Sequence, residues 1–349
     1  MRISHIIWAL GTGGAETMLV DIINAQVETA TVSLAVVVDM VDEGLLRKVD
    51  PRVTVKLFHR KKGSRSLIPW IRLNAFLYRF HPDIIHFHLE GMRKMVLHPA
   101  PKVFTIHNVH TSGVEYPRYQ ALYAISDGVR NYTRQQGFEA TTVWNGIKTD
   151  AIKAREGKLY QKGDLCRIVC VGRLFTPHKG QDILIEALHL LKQRGVEGFC
   201  LDLIGDGESR ETLEKQIAQY GMGTQVNVLG QRDRAYIYQH LCDYELFVLP
   251  SRSEGFGLSV AEAMCAKIPV IVCDQEGAMD VIGGGKYGRS FKTGDAESLA
   301  NQIAAFIEYG VDEKQIEEAY QYAKSNFDIG MTAKRYLEEY RNVIEKAKV

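Results

Sequence analysis

Short, nearly continuous apolar runs alternate along the chain with stretches of helical period. In the first half the runs are Ile3–Leu10, Val32–Val38, Val53–Phe58, Asp83–His88, Val103–His107, Ala121–Ile125 and Thr141–Trp144. Runs of this length, apolar on both alternating faces, predict buried strands. Between them, Gly14–Gln26 and Leu67–Phe80 carry a helical period, with Pro69 in a first turn where its missing N–H is tolerated. After Asn145-Gly146 the chain turns polar from Lys148 to Asp164, and a linker is expected there. The pattern then restarts, with strands at Arg167–Val171, Leu201–Ile204, Val226–Leu229, Leu246–Leu249 and Val270–Cys273. Helices are expected at Gln181–Gln193, Arg210–Tyr220, Arg234–Cys242 and Leu258–Ala266, and three more lead to the C-terminus. This alternation predicts an α/β chain of two doubly wound domains, 1–150 and 164–330, each a parallel sheet covered on both faces. The last helix, 332–346, is expected to pack back on the first domain. Ligands of such sheets lie beyond the carboxyl ends of the strands, so a cleft between the domains is the expected site.

Composition agrees with this picture. A length of 349 residues fits two domains of ordinary size, and 46% hydrophobic and 24% charged residues describe a globular chain. A net charge of +1 gives no reason to expect a nucleic-acid partner. No apolar run approaches a membrane span, and Ile3–Leu10, with His5 and Trp8 inside it, reads as a first strand rather than a signal peptide. All six cysteines lie in the second half without a Cys-x-x-Cys pair, so reduced core thiols are expected in a cytoplasmic protein.

Candidate chemistry gathers where the run Leu246–Leu249 stops at Pro250. The following Ser251-Arg-Ser-Glu254-Gly255-Phe256-Gly257-Leu258-Ser-Val-Ala-Glu262 places two carboxylates on either side of a strand-loop-helix joint. Free amides at the start of the new helix favour an anion. Amides for phosphate and acids for hydroxyls together suit a nucleotide-sugar. The first strand ends in Gly11-Thr-Gly13-Gly14-Ala-Glu16, a glycine turn that lets phosphate approach a helix start. The dinucleotide fingerprint fails there, because glutamate occupies the last glycine position, and an NAD site with Asp39 on the ribose is the weaker reading. In the second half, Gly172-Arg173…Lys179-Gly180 follows a strand and supplies two cations that suit a diphosphate. No Walker phosphate loop occurs.

In this order, the Gly13-Gly14-Ala-Glu16 loop, Gly172-Arg173…Lys179-Gly180 and the Glu254-x7-Glu262 pair resemble the GT-B retaining glycosyltransferases of family 4, "group 1". Shorter pieces extend the resemblance over the first half: Asp83-Ile-Ile-His86-Phe-His88, Thr105-Ile-His107-Asn108, Ala124-Ile-Ser126 and Asn145-Gly146-Ile147. It implies a GT-B fold of two Rossmann-like domains facing across a cleft, the first on the acceptor side and the second binding the donor. It further implies that Arg173 and Lys179, beside Gly172, grip the donor diphosphate and that Glu262 accepts from the ribose hydroxyls. Glu254 would contact the transferred sugar, with amides of the Gly255-Phe256-Gly257-Leu258 turn on sugar or phosphate oxygens. Gly13 and Gly14 would cap the phosphates, His107 would reach the sugar near the reacting carbon, and Gly230 and Arg232 would hold the base.

Two features need weighing by themselves. His86 and His88 share a face at strand period, but no third ligand stands at suggestive spacing, so structural or rim roles are expected and no metal site. Between Pro51 and Val114 there are eleven Lys/Arg and two acids, and the basic run Arg60–Arg65 precedes the apolar helix 67–80 with Trp70 and Phe76. This combination suits an anionic membrane surface and a lipid-linked acceptor; a helix that only covers the sheet is the alternative.

The expected function is transfer of a sugar from a nucleoside-diphosphate-sugar to a saccharide or lipid-linked saccharide hydroxyl. The resemblance implies retention of configuration, no cofactor or metal, and work in bacterial capsule, exopolysaccharide or lipopolysaccharide assembly at the inner face of the cytoplasmic membrane. A nucleotide-sugar epimerase on the same plan, or a non-catalytic sugar-binding relative, are the alternatives.

Overall fold

The computed structural model describes residues 1–11, 13–109 and 113–348. The chain forms two compact units: Met1–Ile147 together with the chain from Asp328 onward, and Lys148–Phe327. The first contains β1 (Arg2–Ile7), α1 (Gly14–Gln26), β2 (Thr31–Val38), α2 (Glu43–Leu46), β3 (Thr54–Arg60), α3 (Ile68–Phe80), β4 (Ile84–Phe87), β5 (Lys102–Ile106), β6 (Ala121–Ala124), α4 (Asp127–Gln135) and β7 (Thr141–Thr142). The second contains β8 (Cys166–Val171), α5 (Thr176–Lys179), α6 (Gln181–Gln193), β9 (Phe199–Ile204), α7 (Arg210–Gln219), β10 (Val226–Gly230), α8 (Arg234–His240) and β11 (Leu246–Leu249). It continues with α9 (Leu258–Cys265), β12 (Val270–Cys273), α10 (Glu276–Val281), β13 (Arg289–Phe291), α11 (Ala296–Tyr309) and α12 (Glu313–Asn326). The last helix, α13 (Ile329–Lys346), returns to the first unit and lies against α1.

Both sheets are parallel, with orders β3-β2-β1-β4-β5-β6-β7 and β10-β9-β8-β11-β12-β13. Strands such as β2 and β12 are buried at nearly every position, which is why alternation is absent from their sequences. The order of each sheet reverses once, between β1 and β4 and between β8 and β11, and a crevice opens at such points. The first strand stops at Ile7, short of the expected Leu10, because Trp8 is partly exposed and Leu10 only bridges Val41.

The polar stretch 148–164 is no free tether. Arg155 is bound to the carbonyls of Cys242 and Tyr244 and pairs with Glu245 at 3.4 Å, and the Lys153 amide donates to the Tyr238 carbonyl. These contacts tie the segment to the second unit. The chain leaves and re-enters the first unit at one place, where Ile147 bridges Asp328 and the Ile329 amide donates to the Ile147 carbonyl at 2.9 Å. α2, α4, α5 and β13 are not predicted by the apolar pattern, and among the described residues four helices rather than the expected three follow β12. α4 is a polar helix started by Ser126, whose hydroxyl accepts from the Val129 amide, and β13 is only three residues long at a sheet edge.

Two glycines set the loops of the second unit. Gly180 joins α5 to α6 at φ +64°, and a Cβ there would stand 2.1 Å from the Pro250 carbonyl oxygen. Gly277, in α10, faces the Glu254–Gly255 backbone, where a Cβ would meet the Glu254 oxygen at 2.6 Å. The chain after β8, the chain after β11 and the start of α10 are therefore packed backbone to backbone. Gly180→Ala is expected to lower unfolding free energy by about 2 kcal/mol or more, through strain and the displaced Pro250 loop. Urea titration checks this, and a midpoint unchanged from the parent would contradict the packing described.

Candidate active site

The switch point between β8 and β11 brings the two halves of the candidate site together. The chain leaving β8 carries Gly172 and Arg173 and then α5, which ends in Lys179; the chain leaving β11 carries Glu254 and runs into α9 with Glu262. Lys179 Nζ donates to Glu254 Oε2 at 2.8 Å, and the same oxygen accepts from Ser251 Oγ at 3.2 Å. The lysine side chain is 33% exposed and the glutamate 11%. Burial alone would lower the Lys179 pKa, but the Glu254 charge and hydrogen bond outweigh it and the net shift is upward. The ammonium therefore stays charged throughout the neutral range.

Arg252 locks the same two loops from behind. Its guanidinium meets both oxygens of Asp182, at 2.7 Å each, and the Thr176 carbonyl at 2.7 Å. This fork anchors the ends of α5 and α6 to the β11 loop. α9 begins at Gly257 with no side-chain cap, and α1 likewise begins at Gly13, whereas Asp233, Asp295 and Asp328 cap α8, α11 and α13 with their carboxylates. The start of α9 thus has no side-chain cap to compete with an anion, whereas at α1 the Glu16 carboxylate lies beside Gly13. The Phe256 side chain itself is core, edge-on to Phe327 at 5.4 Å, so only the backbone of that turn is available to a ligand.

Arg173 is turned to Glu208, bound through Nε at 3.2 Å and through a second, shorter contact, with both side chains more than half exposed. Glu262 is buried in α9 and receives Arg234 at 3.4 Å, whose guanidinium lies over the Tyr238 ring. The Gly230 carbonyl accepts from the Gly205 amide at the end of β10, and Arg232 lies exposed over the Tyr236 ring. None of the six cysteines forms a disulfide, and burial pushes the Cys170 and Cys273 thiols up to about 12, so neither is a nucleophile at neutral pH.

Residues 155–325 match the model of the glycosyl transferases group 1, and residues 12–151 that of glycosyltransferase family 4. The chain belongs to this glycosyltransferase family. Among its relatives, a GDP-mannose-dependent alpha-(1-6)-phosphatidylinositol monomannoside mannosyltransferase of Mycobacterium tuberculosis is 30% identical over 175 residues, 46% of this chain and 45% of that protein. The match therefore spans less than half the length of that relative. The lipopolysaccharide core biosynthesis glycosyltransferase LpsE of Rhizobium meliloti is 25% identical over 88% of this chain and 89% of that one. The crystal structure of Anabaena HepE in complex with UDP and glucose superposes with a TM-score of 0.78 at 22% identity, covering 98% of this chain and 100% of that one. That likeness is one of fold, and both parallel-sheet units are of the GT-B kind.

In this family member the second unit holds Gly172, Arg173, Lys179, Gly230, Arg232, Glu254, Gly255, Phe256, Gly257, Leu258 and Glu262 around one sheet edge. Gly13, Gly14 and His107 belong to the first unit. The Glu16 carboxylate folds back over Gly13, while a Cβ on Gly14 would meet nothing within 4 Å, so that side of the turn is open. His107 follows β5 half-buried, its Nε2 enclosed and unpaired, and burial lowers its pKa to about 4, so the ring is neutral at physiological pH. The expectation that His86 and His88 lack a third histidine is corrected: β1 places His5 beside them, and the ligand atoms of all three lie within 4.8 Å of one another. The sequence reading also misses Ser251, Arg252, Asp182, Glu208 and Arg234. Their partners stand 3, 70, 35 and 28 positions away, and no local spacing signals the distant ones.

Removing Lys179 leaves a largely enclosed carboxylate. Lys179→Ala is expected to cost about 1–3 kcal/mol of stability, and Lys179→Ala/Glu254→Ala to cost less than the sum of the single changes. Thermal denaturation of the four proteins checks the coupling; strict additivity would show that the pair is not an energetic unit.

Proposed function

We propose that this glycosyltransferase moves a sugar from a nucleoside-diphosphate-sugar to a saccharide or lipid-linked saccharide hydroxyl, with retention of configuration. The observation that carries the reading is the cation–carboxylate arrangement at the β8/β11 switch point, beside an uncapped helix start. Exposure assigns the parts. An ion pair as exposed as Arg173–Glu208 is largely screened by solvent, so Arg173 exchanges Glu208 for a diphosphate at little expense. Lys179 and Glu254 are more enclosed, and their bond persists. Lys179 then bears on the leaving phosphate while holding Glu254 oriented to accept from a sugar hydroxyl. Glu262, fixed on α9, receives the ribose hydroxyls, and the turn before it offers amides to sugar or phosphate oxygens. Gly230 and Arg232 hold the base.

With these charges in place no protein nucleophile, metal or other cofactor is needed: the leaving diphosphate accepts the acceptor's proton as its own bond to the sugar breaks. Gly13 and Gly14 cap the phosphates and neutral His107 orients the reacting centre. Two relatives are named a phosphatidylinositol monomannoside mannosyltransferase and a lipopolysaccharide core biosynthesis glycosyltransferase, which supports a bacterial cell-surface glycan as the setting; work at the inner face of the cytoplasmic membrane is part of the proposal. Calorimetry against UDP-, GDP- and ADP-sugars is expected to single out one donor, with affinity lost about tenfold or more in Glu262→Ala. NMR of the product should show the donor's anomeric configuration. An inverted product would end the retention claim, and isomerised donor without acceptor would point to an epimerase instead.

The lipid-linked acceptor draws support from α3, with one correction to the sequence reading. Trp70 is buried and Phe76 packs against Phe58 and Phe80, so neither is available to a membrane. The outer face instead carries Leu67, Ile68, Ile71 and Tyr78, with Ile71 66% exposed, beside Arg72 and Arg79. Asn74 ties the 95–97 segment to the helix and adds Leu97, 72% exposed, to the same surface. Lys61, Lys62 and Arg65 are exposed just before it. Among the described residues no helix is long and apolar enough to cross a membrane, and an apolar face rimmed by cations suits the surface of an anionic one. Charge reversal at Lys61, Lys62 and Arg65 is expected to weaken sedimentation with phosphatidylglycerol vesicles, most at low salt. Undiminished binding would remove the membrane from the proposal.

A further inference from the structure

Four histidines form a contiguous group in the first unit, and only His107 has a role in the reaction proposed above. His5 lies on β1, His86 on β4, and His88 and His107 just beyond the ends of β4 and β5. Ring centroids are 5.2 Å apart for His5–His88, 4.2 Å for His86–His88 and 5.6 Å for His88–His107. His5, His86 and His88 are fully buried, and burial holds all three rings in the neutral form, His5 down to about 4 and the others well below their usual value.

Neutral imidazole has one donor and one acceptor, so the partners at one end of a chain decide the proton positions along it. The Gln26 amide oxygen, on α1, lies 2.8 Å from His5 Nε2 and can only accept, so His5 carries its proton on Nε2. His5 Nδ1 is then a lone pair, 2.9 Å from His88 Nε2, and takes that ring's proton. His88 is left with a lone pair on Nδ1, which is enclosed and meets no partner. The neighbouring ring, His107, has its Nε2 enclosed and unpaired as well. The two rings lie 5.6 Å apart between centroids, and when a small turn of either brings the atoms into direct contact, a proton on His107 Nε2 is the arrangement that satisfies both. His86 stands outside this chain, held at Nδ1 by the Tyr340 hydroxyl at 2.5 Å and at Nε2 by Thr105 at 2.7 Å.

The same three buried histidines could be taken for a metal centre. Against that, both nitrogens of His5 and both of His86 are already hydrogen-bonded, and a metal would have to displace those partners.

We propose that His88, backed by His5 and Gln26, is a positioning residue that fixes His107 in the Nε2–H tautomer, leaving Nδ1 as the unprotonated atom. The consequence for transfer rests on the role given to His107 above; the tautomer itself does not. The test is a multiple-bond proton–nitrogen spectrum of protein labelled with 15N in its histidines, recorded at neutral pH without donor. His107 is expected in the Nε2–H form, and in His88→Phe as a mixture or as Nδ1–H. His88→Gln, whose amide can donate to His5 and accept from His107, is expected to restore the parent form. In turnover, His88→Phe should lower kcat about tenfold or more with donor KM within about twofold, and His88→Gln should recover most of it. If His88→Phe does not fold, Gln26→Leu removes the acceptor that sets the chain and should release the His107 tautomer in the same way. An unaltered His107 spectrum in a folded variant overturns the proposal, as does stoichiometric metal retained by the purified protein. A tautomer that behaves as expected in a protein without transferase activity would overturn the function and leave this inference standing.

Discussion

Parallel pairing is the constraint from which the rest of the molecule follows. When every strand of a sheet runs the same way, each must be followed by a crossover, and every crossover starts at the same edge. The carboxyl edge of the second sheet therefore collects the loops after β8 and β11 and the starts of α6, α9 and α10. Residues far apart in sequence meet there, and Arg252 and the close backbone approaches at Gly180 and Gly277 hold their loops together. The reversal between β8 and β11 then parts the crossovers to opposite faces and leaves room for a ligand between them.

Within that edge the electrostatics are graded. Arg173 and Glu208 are largely in water, and their attraction is mostly screened. Lys179 and Glu254 are more enclosed, and the glutamate's charge and hydrogen bond keep the lysine charged against its burial. Arg252 and Asp182 form a two-pronged bond that touches no proposed ligand position and serves to hold loops. Cations of similar formal charge thus have different duties, set by exposure and not by residue type.

Much of this is legible in the chain itself. Continuous apolar runs give both sheets, because strands covered on two faces need no polar alternation. The glycine turn, the Arg173–Lys179 segment and the Glu254–Glu262 pair are readable because their members are close in sequence and follow strand ends. What escapes is non-local or atypical. Arg155 looks like part of a polar linker, yet its guanidinium is bound to two carbonyls and Glu245. Trp70 looks like a membrane anchor but packs edge-on against Trp8. His5 sits in an apolar strand with no sequence neighbour to mark it, and only the β1–β4 pairing sets it opposite His86. α4 is too polar, and β13 too short, for periodicity to expose either.

The return of α13 has a consequence for how the molecule is made. Tyr336 and Tyr340 on that helix are buried, and their hydroxyls reach Thr105 and His86 in the first sheet. The second unit is one continuous stretch, complete in the nascent chain once Phe327 has emerged. The first unit, although most of it is synthesised earlier, lacks these tyrosines until α13 has emerged. Vectorial synthesis therefore delivers the later unit whole before the earlier one can close its core, and His86 receives its last partner only once α13 has emerged.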